Sequence, residues 1–581
     1  MLLLFPVAGM MGWKKKSSQR TTFSPEYTLH YHLIGINCRY SHSCPALFYV
    51  RNELLKNMPQ ARTTLSQLTI NDPYYETLLA ISGSSADALF FSAYVWNHDY
   101  ISRLIKDLAT IQPERPIILG GPQASAMTDL PENATLVIGE IEGVDRLFYR
   151  DLKKGKLEIQ YSAAPGHPFQ SPYLDEDLAG ELRHRQVYYE SSRGCPFRCS
   201  YCLSSVSKGV QHNSVEQVRR ELHAILAHQP KIIKFVDRTF NDNPERALAI
   251  WHCLAEHSGP TRFHFEIAPD RFTEEMFALL EKIAIGRFQF EIGIQSTNVK
   301  TLAAINRSMD IGTAAANIRR LAGFDTIHLH VDLILGLPYE TGESFRDSFN
   351  RVFTLQAHHI QMGLLKVLPG TPLWSNQQEF GLVYCARPPY QIMATRWLSH
   401  PELAGFYAFG ECVEAFYNNR YFHSLWRYLS SGGEEPFSFF ESLLAVSRRS
   451  HFAGLAPTQE LLTRILHEMA GEREDKEIMR ELLQYDWLRC GHRYLPDVFA
   501  ADPLPELRNF LWKNLPLNME GLYTPRSRSA FFKRAVFLRM TGSTLQQLGK
   551  GTGGRNAVVC FLPEQTGGVI RHCRTVLVEP A

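Results

Sequence analysis

The chain has no excess of either charge. Its 61 Lys and Arg residues face 59 Asp and Glu over 581 residues, a formal net charge of +2. A general nucleic-acid binder carries a basic surplus, so nucleic acid is not an expected partner. No apolar run approaches the roughly 18 residues that a membrane helix needs, which excludes a membrane partner and points to a soluble chain. Met1 to Trp13 is apolar, but Lys14, Lys15 and Lys16 follow that run instead of preceding it, the reverse of a secretory signal. Residues 1–27 are therefore read as an amino-terminal extension. Cysteine is sparse, with 11 in the whole chain, far below the density of a disulfide scaffold, and three of them crowd into one eight-residue window. That distribution predicts a reducing, cytoplasmic setting and a metal or redox role for the cluster of three. Disorder is excluded as well, because 45% of residues are hydrophobic and 21% charged, as in ordinary globular domains.

What is present is a repeating pattern. From His32 to Phe148 short apolar runs (HLIGIN, DALFFSAYV, RPIILGG, TLVIG) alternate with helix-like segments such as Ala46 to Lys56 and Ile101 to Ala109. The alternation predicts an α/β, doubly wound (Rossmann-like) domain over residues 28–150, with ligands at the carboxyl ends of its strands. Residues 151–184, weakly patterned and containing proline, read as a linker. Beyond it, strand-like runs recur with helical segments between them: VYYESSRG, IIKFVDRTF, RFHFEIAP, RFQFEIGIQ, IHLHVDLILGLP and HIQMGLLKVLPG. Six such units predict a complete or partial (β/α) barrel over 185–387, with chemistry on the loops at the carboxyl ends of the strands. From residue 388 to 581 aromatics at helical spacing predict a mostly α-helical domain whose aromatic stripe is core. The stretch GKGTGGRN lacks the phosphate-loop spacing and a preceding strand, so it reads as a mobile loop.

The motif that carries chemistry is Cys195-Pro-Phe-Arg-Cys199-Ser-Tyr-Cys202, directly after a predicted strand. Three thiolates can hold three irons of a [4Fe–4S] cluster and leave the fourth iron open to an exchangeable ligand. A structural zinc site wants four protein ligands, and the nearest candidate, His212, lies in no familiar zinc spacing.

With three cysteines so spaced inside a barrel-like repeat, the chain resembles the radical S-adenosylmethionine superfamily. That resemblance implies that Cys195, Cys199 and Cys202 ligate a [4Fe–4S] cluster. The open iron would bind S-adenosylmethionine, and an electron from a reductant such as flavodoxin or ferredoxin would cleave it to a 5′-deoxyadenosyl radical. It further implies that Tyr201 packs by the adenine and Asp237 lies near the methionine amino group. Glu291, Gly293, Gln295 and Ser296 in RFQFEIGIQS become candidates for ribose or carboxylate contacts. Gly336 in LILGLPYET and Val367 in LLKVLPGTPL would complete the cofactor side.

The amino-terminal unit resembles the cobalamin-binding domain that precedes the barrel in one large subgroup. Ser92 and Trp96 in SAYVWN, the turn Gly120-Gly121-Pro122, and the turn Gly139-Glu140 carry that resemblance. The Asp-x-His-x-x-Gly motif that gives cobalt a histidine is absent, and His30 and His32 fall on or before the first strand, where they read as coincidence. His42 and His98 read as solvated loop histidines. The carboxy-terminal region, from PPYQIMATRWLS through VEAFYNNRYF, resembles the uncharacterised helical domain of one subfamily of these proteins. A second cluster is not expected, since the amino-terminal part offers only Cys38 and Cys44.

The expected function is thus a cobalamin-dependent radical S-adenosylmethionine enzyme acting on a small molecule or peptide, either a methyltransferase on an unactivated carbon or the catalyst of another radical-driven rearrangement. Two alternatives stay open: a radical enzyme without cobalamin, and a non-catalytic protein that senses through its cluster or cobalamin.

Overall fold

The computed structural model describes residues 28–578 apart from 206–208, 451, 453, 500–503, 515–527, 552 and 566–567. The amino-terminal extension read from the sequence lies outside the described residues.

The first sheet comprises β1 (His30–Asn37), β2 (Arg62–Thr69), β3 (Ala88–Ser92), β4 (Ile117–Gly120), β5 (Ala134–Ile138) and β6 (Gln160–Ser162) in the order β2-β1-β3-β4-β5-β6. Every neighbouring pair is parallel. Separate apolar clusters form around it, Ile34, Phe91, Leu104 and Leu119 in one and Leu33, Phe90, Ile118 and Phe148 in the other. Neighbouring residues of one strand fall into different clusters because successive side chains point to opposite faces. That is why ALFFS is buried at all five positions, as expected of a strand covered on both sides. Two strands were not anticipated. RTTLSQLT forms β2 at the sheet edge, where it stays mostly half-exposed and needs no apolar pattern. The stretch 151–184, read as a linker, supplies β6 at the opposite edge and the short helix Asp175–Ala179.

The second sheet comprises β7 (Val187–Tyr189), β10 (Ile232–Phe235), β11 (Arg262–Ile267), β12 (Phe288–Gln295), β13 (His328–Leu335) and β14 (His359–Leu364), in sequence order and all parallel. It stays open between β7 and β14, a partial barrel. Between β7 and β10 the chain makes an antiparallel hairpin, β8 (Ser192–Gly194) with β9 (Val210–His212). Burial along β11, β12 and β13 alternates strictly. Phe263, Phe265, Phe288 and Phe290 are fully buried with Trp251, while the intervening residues His264, Glu266, Gln289, Glu291, His330 and Asp332 share the other face.

A short hairpin, β15 (Val383–Tyr384) with β16 (Ile392–Ala394), follows. The helices that come next pack on the barrel through aromatic rings: Phe409 stacks on Phe437 with centroids 4.4 Å apart, and Phe349 of the barrel helix Gly342–Phe353 meets both Phe409 and Phe440. The region is not helical throughout. β17 (Val536–Met540), β18 (Ala557–Gln565) and β19 (Cys573–Val578) form an antiparallel sheet near the chain end. Their apolar, β-branched VFLRM and AVVCFL runs favour strands, and they add a small sheet to a region that is mostly α-helical, as expected for 388–581. The described part of GKGTGGRN leads into β18, and Asn556 Oδ1 accepts the Gly542 N–H at 3.0 Å. Among the described residues no helix is long and apolar enough to cross a membrane.

Candidate functional site

The three cysteines lie in the excursion between β8 and β9, which backbone bonds from distant segments clamp. Ser200 N donates to the Ile305 carbonyl at 2.9 Å, Leu373 N to the Ser200 carbonyl at 2.8 Å, and Asn306 Nδ2 to the Arg198 carbonyl at 2.9 Å. The first leg is held by Asp237, whose buried carboxylate accepts from Ser191 N at 3.0 Å and from the hydroxyls of Ser191 and Ser192 at 2.6 Å each. Arg246 backs this knot by donating to the Ser191 carbonyl at 2.8 Å.

Cys195, Cys199 and Cys202 line one cavity of about 230 Å³ together with Tyr201, Arg238, Thr239, Glu266, Glu291, Gly293, Gln295, Arg307 and Asp332. Thr239 Oγ1 lies 3.6 Å from Cys195 Sγ, and Arg307 Nη1 reaches Cys199 Sγ at 3.6 Å. Arg307 also donates to the Gly293 carbonyl, and its guanidinium lies 5.7 Å from the Phe197 ring. None of the eleven cysteines is in a disulfide. Burial pushes the Cys195 thiol up, so its thiolate form calls for a cationic partner. Among the described residues no three Cys, His, Asp or Glu side chains converge on a point suited to one metal ion. Each thiolate of a [4Fe–4S] cluster binds a different iron, so this donor set fits a cluster rather than mononuclear zinc.

Opposite the cysteines the cavity is acidic and strained. Glu291 lies 3.0 Å from His264 Nε2 and 3.3 Å from Lys234 Nζ; burial opposes its ionisation, yet the His264 hydrogen bond and the Lys234 charge hold its carboxyl down at about 2. Burial, then the Glu291 charge, pushes Glu266 up to about 7. Gln295 ends β12 at φ +70° beside a register shift, and its buried Oε1 has no hydrogen-bond partner among the described residues. A non-glycine residue held there, with a wasted acceptor on the cavity wall, fits a ligand that donates to it.

The remaining expectations divide. Tyr201, Glu291, Gly293 and Gln295 line the cavity. Asp237 does not, because its carboxylate is spent on the serines; its neighbours Arg238 and Thr239 face the cavity instead. Ser296 is fully buried and accepts Asn298 N at 3.0 Å, an internal turn. Gly336, at φ +86°, packs under Ile392, where a Cβ would come within 2.6 Å. Val367 is buried and donates its N–H to the Tyr390 carbonyl at 2.9 Å, so that donor is not open to an adenine.

A larger cleft of about 480 Å³ opens between the carboxyl ends of β3, β4 and β5 and the barrel. Ser92, Gly120, Gly121, Pro122, Gly139 and Glu140 line it from the first sheet, and Tyr188, Glu190, Ser192 and Arg193 from the barrel side. Trp96 does not line it; it is 47% exposed and stacks at 4.3 Å on Tyr94, which does. Among the described residues no histidine lines the cleft. His30 and His32 bond Thr64 and Ser66 of β2, and His42 bonds the Tyr188 hydroxyl at 2.5 Å. Ser204 and Arg238 line both cleft and cysteine cavity, so the two spaces adjoin.

Residues 189–352, which include all three cysteines, match the Radical SAM superfamily. The chain carries a radical S-adenosylmethionine domain. Beyond it, residues 378–513 match a family described as a protein of unknown function (DUF4080). The cobalamin-dependent radical SAM methyltransferase TokK of Streptomyces tokunonensis is 26% identical over 359 residues, 52% of this chain. The chain spans about half the length of that relative, 51%. Two solved structures share the fold. The cobalamin-dependent S-adenosylmethionine radical enzyme OxsB, determined with aqua-cobalamin and S-adenosylmethionine bound, superposes with a TM-score of 0.53 at 15% identity over 80% of each chain. The radical S-adenosylmethionine methyltransferase TsrM of Kitasatospora setae gives 0.51 at 14% identity over 73% of this chain and all of that one.

Within the radical S-adenosylmethionine domain, sequence reasoning missed Glu266, Arg307 and Asp332. Glu266 and Asp332 stand in RFHFEIAP and HLHVDLIL at the same strand phase as Glu291 in RFQFEIGIQ, so the two-residue period could have revealed them. Arg307 follows Asn306, whose φ of +53° turns the chain back over the cysteines, and no local pattern announces it.

Proposed function

We propose that this protein is a cobalamin-dependent radical S-adenosylmethionine enzyme, a methyltransferase acting on an unactivated carbon of a small molecule or peptide. The observation that carries this reading is the junction at Ser204 and Arg238, which makes neighbours of a three-thiol cavity and a glycine-walled cleft at the strand ends of an α/β domain. Cys195, Cys199 and Cys202 would hold the [4Fe–4S] cluster, and the cleft lined by Gly120, Gly121, Pro122, Gly139 and Glu140 would hold cobalamin. When bound, the cluster supplies the electron for reductive cleavage of S-adenosylmethionine, and cobalamin supplies a methyl carrier. The chain's own residues bind and orient. Gln295 Oε1 and the Glu291 carboxylate would accept hydrogen bonds from S-adenosylmethionine, while Arg307 would balance thiolate charge beside Cys199. The apolar wall behind the strands, led by Phe265 and Phe290, closes the barrel side to water. A reduced flavodoxin or ferredoxin would deliver the electron in a cytoplasmic compartment, where unpaired cysteines persist.

The test is iron and cobalt content of protein produced with cobalamin available and purified without oxygen, followed by a 5′-deoxyadenosine assay with a chemical reductant. About four irons and one cobalt per chain, with 5′-deoxyadenosine formed, supports the reading. The cleft wall, which shows no histidine among the described residues, favours a second reading, a radical enzyme without cobalamin. Cobalt-free protein that still makes 5′-deoxyadenosine selects it. Iron without 5′-deoxyadenosine selects a cluster-bearing sensor.

A further inference from the structure

A cavity of about 320 Å³ lies at the amino-terminal ends of β13 and β14, the opposite end of the barrel from the cysteines. Asp325, Gln356 and His358 line it from the barrel, and Tyr417, Arg420, His423, Trp426 and Arg427 from the helical region.

Its wall is rich in donors. Arg420 sits at φ +70°, a backbone conformation that costs a non-glycine residue energy and brings its guanidinium to the seam. Among the described residues Nε and Nη2 of Arg420 are buried without an assigned hydrogen bond, while Nη1 meets the Ala357 carbonyl at 3.5 Å and the guanidinium lies 5.5 Å from the Tyr417 ring. The indole Nε1 of Trp426 is likewise buried without a partner. Arg427 stands exposed on the rim. The one lining carboxylate among the described residues, Asp325, is already engaged: its Oδ1 accepts Val569 N at 3.1 Å and lies 3.6 Å from Nε2 of His358, itself on the wall. Crowded positive charge shows in His423, which burial and then Arg489, Arg427, His572 and Arg420 drive down to about 3. A guanidinium is protonated at any ordinary pH, so it cannot escape burial by losing its charge. Its fork of N–H groups suits a planar or tetrahedral oxyanion.

We propose that this cavity binds an oxyanion, the phosphoryl or carboxylate group of a small molecule, at the seam between the barrel and the helical region. The site is independent of the cysteine cavity and of the function proposed above. It offers a place where a bound metabolite would tie the helices to the base of the barrel.

Thermal unfolding of the full chain, purified without oxygen, tests it with inorganic phosphate, citrate, and sodium chloride at matched ionic strength. A ligand that binds only the folded state raises the melting temperature in a saturable way. Phosphate or citrate should do so while chloride does not, and the more effective of the two identifies the oxyanion class. Arg420→Gln and Arg427→Gln should each raise the half-saturating concentration about tenfold, as the loss of a charge-assisted hydrogen bond predicts. Arg427 is exposed, so its variant folds even if the Arg420 variant does not. No saturable response to either anion, or half-saturation unchanged in Arg427→Gln, overturns the proposal and leaves the cavity to water.

Discussion

The two parallel sheets are built from six strands each but use them differently. In the first sheet β3 is buried on both faces, so nothing chemical can happen along it, and the cleft forms only where strands end, at Ser92, Gly120 and Gly139. In the second sheet one face of each central strand is apolar and the other carries His264, Glu266, Glu291, His330 and Asp332, so the strand itself supplies the cavity wall. A doubly wound sheet thus spends its side chains on its core and leaves ligand contacts to turns, whereas a partial barrel separates core and chemistry by the two-residue strand period.

That contrast can be broken by substitution. The largest effect belongs to Cys195→Ala, Cys199→Ala or Cys202→Ala, each of which should eliminate 5′-deoxyadenosine formation; a variant that still forms it removes the cysteines from the chemistry. Next comes the apolar face. Phe290→Ala should lower the unfolding free energy by about 3–5 kcal/mol, while the adjacent Gln289→Ala on the polar face should change it by less than about 1 kcal/mol, both read from denaturant midpoints. Equal costs would mean that the two faces of β12 are not energetically distinct.

The first sheet offers a finer pair. Gly121 sits at φ +94°, and a Cβ there would meet the Ala93 backbone oxygen at 2.6 Å, whereas one on Gly120 finds only the Val137 oxygen at 3.6 Å. Gly121→Ala should therefore destabilise the fold by about 1–3 kcal/mol, and Gly120→Ala should leave stability nearly intact while reducing bound cobalt. Cobalt retained in Gly120→Ala would detach that turn from the cofactor.

The last effect is a pH slope. Because burial raises Glu266 to about 7 in the folded chain, the folded state holds its proton more tightly than the unfolded chain does. Its contribution to stability is fully present below the ordinary carboxylate range and is lost as pH rises through about 7. Glu266→Gln should flatten that part of the stability profile. Glu291, held at about 2, acts in the opposite sense: its contribution is present above the ordinary range and is lost only as pH falls toward 2.

Much of the candidate site was legible in the linear order of residues. The spacing of Cys195, Cys199 and Cys202 pointed to cluster chemistry, and the resemblance of RFQFEIGIQS to a strand of the radical S-adenosylmethionine superfamily singled out Glu291 and Gln295, which line the cavity. Edge strands β2 and β6 were illegible, because a strand at a sheet margin need not be apolar. Asp237, Ser296, Gly336 and Val367 were assigned to ligand contacts by the same resemblance, yet Asp237 bonds the Ser191–Ser192 leg, Ser296 a local turn and Val367 the Tyr390 carbonyl, while Gly336 packs under Ile392.

By itself the sequence determined the alternation of strands and helices, the division of each barrel strand into an apolar and a polar face, and the presence of three thiols in one loop, since all of these depend on neighbours along the chain. Tertiary structure alone decided which buried polar groups are already satisfied, as at Asp237, and which are left open, as at Gln295 Oε1 and Arg420 Nε. A hydrogen bond is settled by distance and angle between groups far apart in sequence, such as Arg307 and Cys199, and no local periodicity encodes it.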